Sequence, residues 1–234
     1  MTVKVKVWDL PLRLFHWALV AAVIAAAVSG EIGGSWADWH GRAGLIVLGL
    51  LFFRLIWGFI GSTHARFASF FPTPSRLAAF LKGAWQGIGH NPLGALSVLA
   101  LLGLVGLQVG SGLFANDDIA FQGPLAELVD KPFSDKLTSL HARAFYVLAI
   151  LVGLHVASIV FYARVKKHDL VRPMLTGTKQ VPRAQAVPAA GHSLGRFAAA
   201  AIAAGLLVWT ITDGVPDRLA KALDVQAEVN APAW

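Results

Sequence analysis

The chain has 234 residues, 56% of them hydrophobic and only 14% charged, with a formal charge of +7 and a mean hydropathy of +0.62. Soluble domains carry about 25% charged residues, so the composition excludes an ordinary water-soluble fold and points to membrane-embedded helices. Cysteine is absent, which excludes disulfides, thiolate-held metal clusters, thiol catalysis and thioether attachment of a prosthetic group.

An apolar run of about 20 residues crosses a bilayer, and five runs meet or approach that length. The first, residues 12–30 (LRLFHWALVAAVIAAAVSG), carries His16; no A-x-A cleavage site closes it, so a retained span is expected rather than a signal peptide. The second, residues 40–59, opens on His40. The loop at 60–92 holds Phe67, Phe70, Phe71, Leu77, Phe80, Leu81 and Trp85 among Arg76 and Lys82. That mixture predicts either a short amphipathic helix on the membrane surface, starting after Pro72 and Pro74, or a loop tucked over the bundle. The third run, residues 93–114, has Gly103, Gly106, Gly110 and Gly112 but no histidine, as expected of close helix packing or of a wall beside a flat ligand. The fourth, residues 137–162, carries His141 and His155. A polar linker expected to be flexible, residues 176–194, leads to an alanine-rich fifth run at 195–212 and a tail at 213–234.

Charge sets the expected orientation. The N-terminus, the 60–92 loop and the 163–194 loop, counted with Arg13, Arg54 and Arg196, hold fourteen of the twenty Lys and Arg, against two acids, Asp9 and Asp169. By the positive-inside rule this side is expected to be cytoplasmic, which puts the C-terminal tail outside. Because the charges alternate with long apolar runs, the basic excess reads as topology and contact with membrane lipid, with no nucleic-acid partner expected.

Titratable rings at membrane depth are costly and mark function. His141 and His155 are fourteen residues apart, about 40° short of four helical turns, so they share one face about 21 Å apart along the axis. His40 begins the second span at the same outer end as His141; His16 lies toward the inner end with His155. Each histidine alone is compatible with a hydrogen-bonded packing role. As a set they are compatible with a soft-metal or zinc site, a proton relay, or haem held between two imidazoles. The scarcity of carboxylates within the spans disfavours zinc and the relay. Arg42 and Arg143 each follow an outer histidine by two residues and are candidate propionate partners there; Arg13 and Arg54 are the inner candidates. Interfacial snorkelling is the simpler role for each arginine, and interfacial belts are expected of Trp17, Trp36, Trp39 and Trp57.

Together, L-F-H-W around His16, W-H-G-R-A-G around His40, F-R-L-I-W-G-F-I-G-S around Arg54, G-H-N-P-L-G around His90, and His141 with His155 resemble the bacterial cytochrome b561 family. That family includes the b-type cytochrome subunits of nickel-iron hydrogenases. The resemblance spans about residues 7 to 175. It implies an all-α integral membrane fold: a four-helix transmembrane bundle in residues 1–175 binding two haems b, to which this chain adds a fifth C-terminal transmembrane helix. The ligand pairs it implies are His16 with His155 and His40 with His141. The implied activity is electron transfer between a quinone, ubiquinone or menaquinone, and a periplasmic c-type cytochrome or dehydrogenase. A quinone-linked superoxide oxidase is the alternative within the family, and a haem-free transporter or scaffold the alternative outside it. His90 and Arg66 are further candidates for quinone or propionate contact, although G-H-N-P also suits a helix start. Asp117, Asp118, Glu127, Asp130, Asp135, Asp213, Asp217, Asp224 and Glu228 form an outer acidic surface, either a docking field for a basic partner or a solvated loop and tail.

Overall fold

The computed structural model describes residues 1–119, 121–183, 186, 190, 191, 193–214 and 216. The tail expected at 213–234 therefore lies outside the described residues except at 213, 214 and 216. Among the described residues, five helices are long and apolar enough to cross a membrane.

The chain opens with strand β1 (Thr2–Lys6) and turns into α1 (Leu10–Ile32). Asp9 starts this helix: its Oδ1 accepts the Leu12 N–H at 2.7 Å, and Pro11 occupies the first turn, where its missing N–H costs nothing. Gly33, at φ +67°, ends α1 and leads into α2 (Ala37–Ile60), which packs along α1 as a hairpin. Two short helices follow, α3 (Phe67–Phe70) and α4 (Pro74–Leu81); the second is the amphipathic helix predicted there, capped by the Thr73 hydroxyl. In α5 (Pro92–Gly112) the start is Asn91-Pro92, with Asn91 Oδ1 accepting the Gly94 N–H at 2.7 Å. This bears out the helix-start reading of G-H-N-P. The longest helix, α6 (Lys131–Arg164), has 34 residues and so extends about 50 Å, well beyond a hydrocarbon core of about 30 Å. After α7 (Val171–Thr176) come β2 (Thr178–Pro182) and α8 (Leu194–Trp209), the last continuing into a π-helical turn at Thr210–Gly214.

The all-helical expectation is corrected at one place. Residues 178–182, read as part of a flexible linker, pair antiparallel with β1, from Thr2 opposite Pro182 to Lys6 opposite Thr178. Alternation in TVKVK favours the extended chain, and the Gly177 carbonyl secures the join by accepting from the Val7 and Trp8 N–H groups at 2.8 and 3.1 Å. Segments 172 to 180 residues apart are thereby fastened to the same end of the bundle.

Two apolar cores hold the helices. Phe15 of α1, Phe53 and Trp57 of α2, and Ala200 and Ala204 of α8 form one, with Phe197 set edge-on to Phe53 and Trp57. Ala22, Val47, Val105 and Leu148 form the other, one residue from each of α1, α2, α5 and α6. Trp57 is not an interfacial tryptophan. It is fully buried, because its indole N–H finds Asp9 Oδ2 at 3.0 Å inside the first core, whereas Trp17, Trp36 and Trp39 are 42%, 46% and 58% exposed. Outward-facing Ile24, Ile46, Tyr146, Ile150 and Leu154 leave an apolar perimeter of the kind lipid covers.

Candidate functional site

His40, in the first turns of α2, and His141, in the third turn of α6, meet across the bundle. Their ring centroids are 5.8 Å apart and their planes cross at 85°. Each Nδ1 lies 2.8 Å from a backbone carbonyl, Ala26 O on α1 for His40 and Gln108 O on α5 for His141. A carbonyl can only accept, so both bonds put the ring proton on Nδ1 and leave the Nε2 lone pair free for a metal.

The two supporting helices use the same device. On α1 the Ser29 hydroxyl lies 3.2 Å from the Ala26 carbonyl that holds His40; on α5 the Ser111 hydroxyl lies 3.0 Å from the Gln108 carbonyl that holds His141. A glycine follows each serine. A Cβ at Gly30 would stand 2.8 Å from His40 Nδ1, and one at Gly112 would stand 3.0 Å from His141 Cε1, so only glycine admits the rings this close to the backbone. Gly30→Ala is accordingly expected to displace the His40 ring and at least halve metal or cofactor retention at this site while helix content is unchanged. Retention equal to wild type, by absorbance per chain after purification, would count against this packing role.

A cavity of about 290 Å³ lies beside the two rings, walled by residues of α1, α2, α5 and α6 and closed partly by Phe121, Gln122 and Thr212. Ligand pockets range over roughly 300–1,000 Å³, so it lies just under the lower end of that range. Gly44, one turn beyond His40, has open space where a Cβ would project.

At the opposite end lie His16 on α1, His155 on α6 and, just before α5, His90, which shares the field of Arg54 and His64. The His90 ring is held between Trp8 and Phe70, with centroids 4.5 and 4.7 Å away. Burial first, and then the neighbouring Arg54 charge, push its pKa down to about 3, so it is neutral near pH 7; burial lowers His64 also. Arg54 is 2% exposed, with its guanidinium 4.4 Å over the Phe67 ring. Arg54 Nη1 and His90 Nδ1 are both shielded from solvent without a hydrogen-bond partner. Buried polar atoms without partners are expensive, and this end holds two of them side by side in the same field.

The other arginines behave differently. Arg13 Nη1 donates to the Leu175 carbonyl while its Nε has no partner, so it ties α1 to α7. Arg42 and Arg143 are exposed and do not line the cavity; two residues past a histidine turns each about 200° around its helix, and Arg42 instead lies 5.2 Å over the Trp39 ring. Much of the acidic surface has local work: Asp130 caps α6, and Lys131 bridges Asp118 at 2.6 Å and also Asp135.

A model of the prokaryotic cytochrome b561 family matches residues 7–177. The chain belongs to the prokaryotic cytochrome b561 family. It is a membrane cytochrome of b type, and haem b is the group the family implies. Curated relatives carry the name "Probable Ni/Fe-hydrogenase B-type cytochrome subunit". Those of Azotobacter chroococcum and Azotobacter vinelandii are each 28% identical, covering 74% of this chain and 87% of their own length. The Rhodobacter capsulatus relative is 24% identical, covering 74% and 80%. No solved structure matches the chain.

The residues present fit haem. Among the described residues no cluster of three or more His, Asp or Glu is placed to hold a metal ion unaided. Two imidazoles with free Nε2 atoms therefore suit a metal whose other ligands come with it, as in a macrocycle.

Sequence reasoning did not find the Ala26 and Gln108 carbonyls, Ser29, Gly30, Ser111 or Phe121. One signal was present: Ser-Gly closes the first apolar run at 29–30 and recurs two residues before the end of the third, at 111–112.

Proposed function

We propose that this cytochrome binds two haems b, one between His40 and His141 and one between His16 and His155, and carries electrons between a membrane quinone and a redox partner at the acid-rich face. The observation that carries this reading is the fixed tautomer of His40 and His141, both Nδ1 atoms held by carbonyls and both Nε2 atoms free. Bound haem b supplies one-electron exchange at a potential set by its axial ligands, hydrogen bonding and burial.

The chain's own residues do the rest. Ala26 O and Gln108 O keep the two imidazoles neutral and oriented, and by accepting from Nδ1 they raise the basicity of Nε2. Arg54 and the neutral His90 ring offer N–H donors to a propionate at the other end, with Arg13 close to the same end of α1. Residues 1–175 form the haem-bearing unit, and 176–194 connect it to the fifth span at 195–212.

The basic residues put the N-terminus in the cytoplasm and the acidic face in the periplasm, across the bacterial inner membrane. The relatives' name makes a hydrogenase a suitable redox enzyme at that face, with a c-type cytochrome or another dehydrogenase as the wider class. Ubiquinone or menaquinone is the membrane-borne reactant. Purified protein is expected to give two haems b per chain by pyridine haemochrome and to be reduced by a quinol analogue. One haem per chain, or a dithionite-reducible spectrum that quinol does not produce, would overturn the respective half of the proposal.

A further inference from the structure

The family match ends at residue 177, so α8 lies wholly beyond it, yet α8 is seated firmly on the haem-bearing bundle. Ala200 and Ala204 are 1% and 4% exposed, and Gly49 of α2 leaves room for Val208. Past Trp209 the helix widens into the π turn at 210–214, and Thr212 from that turn lines the cavity beside His40 and His141. The Thr212 hydroxyl has one proton to share between Asp213 Oδ2 at 2.5 Å and Val208 O at 3.2 Å, so it gives the cavity bulk rather than a hydrogen-bond donor.

A second element meets it there. The α5–α6 connection folds back as a hairpin: Gly123 N–H donates to Ala115 O at 2.8 Å, Leu125 N–H to Leu113 O at 2.9 Å, and Asn116 pairs with Gln122. Asp117 Oδ1 accepts from the Ile119 and Phe121 N–H groups at 3.0 and 2.9 Å, and Thr138 of α6 fixes the base by accepting from Asn116 N–H at 3.0 Å. This framework sets the Phe121 ring edge-on to His40 at 6.0 Å, over Gly41, where a Cβ would come within 3.1 Å of the ring. A hairpin so fully bonded holds its aromatic residue in place; it does not merely trail in solvent.

We propose that Phe121 and Thr212, brought by the hairpin and by α8, form a water seal over the His40–His141 site and raise its reduction potential. The inference rests on haem occupying that site. Ferric bis-imidazole haem carries one more positive charge than the ferrous form, and water favours the more charged state; excluding water therefore favours the electron-bearing state. On this reading α8 is part of the redox site. The other site, beside a buried arginine and a neutral histidine, is tuned by charge instead.

Spectroelectrochemical titration of the purified full-length protein tests the seal. His40→Ala first identifies which of the two reduction waves belongs to this site. Phe121→Ala and Thr212→Gly are then expected to shift that wave about tenfold toward the ferric form, or about 59 mV downward for one electron, and to leave the other wave in place. Phe121→Leu and Thr212→Val, which keep the apolar bulk, are expected to stay near wild type. Should Phe121→Ala shed the haem altogether, Thr212→Gly decides by the same wave. A His40-dependent wave that does not move, or two waves that move together, overturns the seal alone. Two waves surviving in His40→Ala overturn the ligand assignment, and the seal with it.

Discussion

Replacing His40 with alanine is expected to lower haem content from two to about one per chain, and His141→Ala to do the same; His16→Ala and His155→Ala are expected to remove the other haem. The fold should survive the first two changes for a reason visible in the structure. When either ring goes, Ala26 O and Gln108 O remain inside the helical ladders of α1 and α5, with the Ser29 and Ser111 hydroxyls, which bond Ala25 O at 2.6 Å and Leu107 O at 2.7 Å, also within 3.2 and 3.0 Å, so no newly orphaned acceptor is buried. Pyridine haemochrome on all four variants, with helix content followed by circular dichroism, separates ligand loss from unfolding. Loss of both haems in His40→Ala with full helicity would show that the sites are coupled and would sink the assignment of independent pairs. Retention of both would remove His40 from the ligand set.

How much of this was legible beforehand depended on the kind of residue. His40 and His141 stood out because an imidazole in an apolar run is costly, and helical periodicity with span order was enough to pair them before any contact was known. The spans were legible through length and hydropathy, and the start of α5 through Asn-Pro. What supports the pair was less legible, since two of the groups are backbone carbonyls and carry no residue signature. Ser29-Gly30 and Ser111-Gly112 look like ordinary ends of apolar helices until the rings are placed against them. Trp57 and Asp9 were misjudged or passed over for a related reason: a tryptophan near a span end suits an interface equally well, and only the indole-to-carboxylate bond at 3.0 Å shows it to be core. The β1–β2 pairing joins residues 172 to 180 positions apart, and no local pattern announces such a partner.

Arg54→Met is expected to act in opposite directions on the haem-free and haem-loaded protein. The guanidinium is 2% exposed, yet no hydrogen bond reaches its Nη1, and the carboxylate of Asp9 is spent on the Leu12 N–H and the Trp57 indole. Its remaining support is the Phe67 ring at 4.4 Å, the Phe70 ring at 5.9 Å and the nearby Asp9 charge, and a cation–π contact is worth up to about 2 kcal/mol when desolvated. Without haem, methionine fills similar volume and removes a poorly compensated charge, which leaves stability unchanged or raises it by about 1–4 kcal/mol. With haem bound between His16 and His155, the same change strands a propionate, at a cost of about 3 kcal/mol or roughly a hundredfold in retention. Lysine at 54 keeps the charge but loses the planar fork, so Arg54→Lys should fall between the two. The measurements are thermal unfolding of apoprotein and haem transfer to apomyoglobin from the loaded protein. Equal destabilisation in both states would make Arg54 a packing residue; unchanged haem release with a stabilised apoprotein would place the anion it awaits somewhere other than on haem.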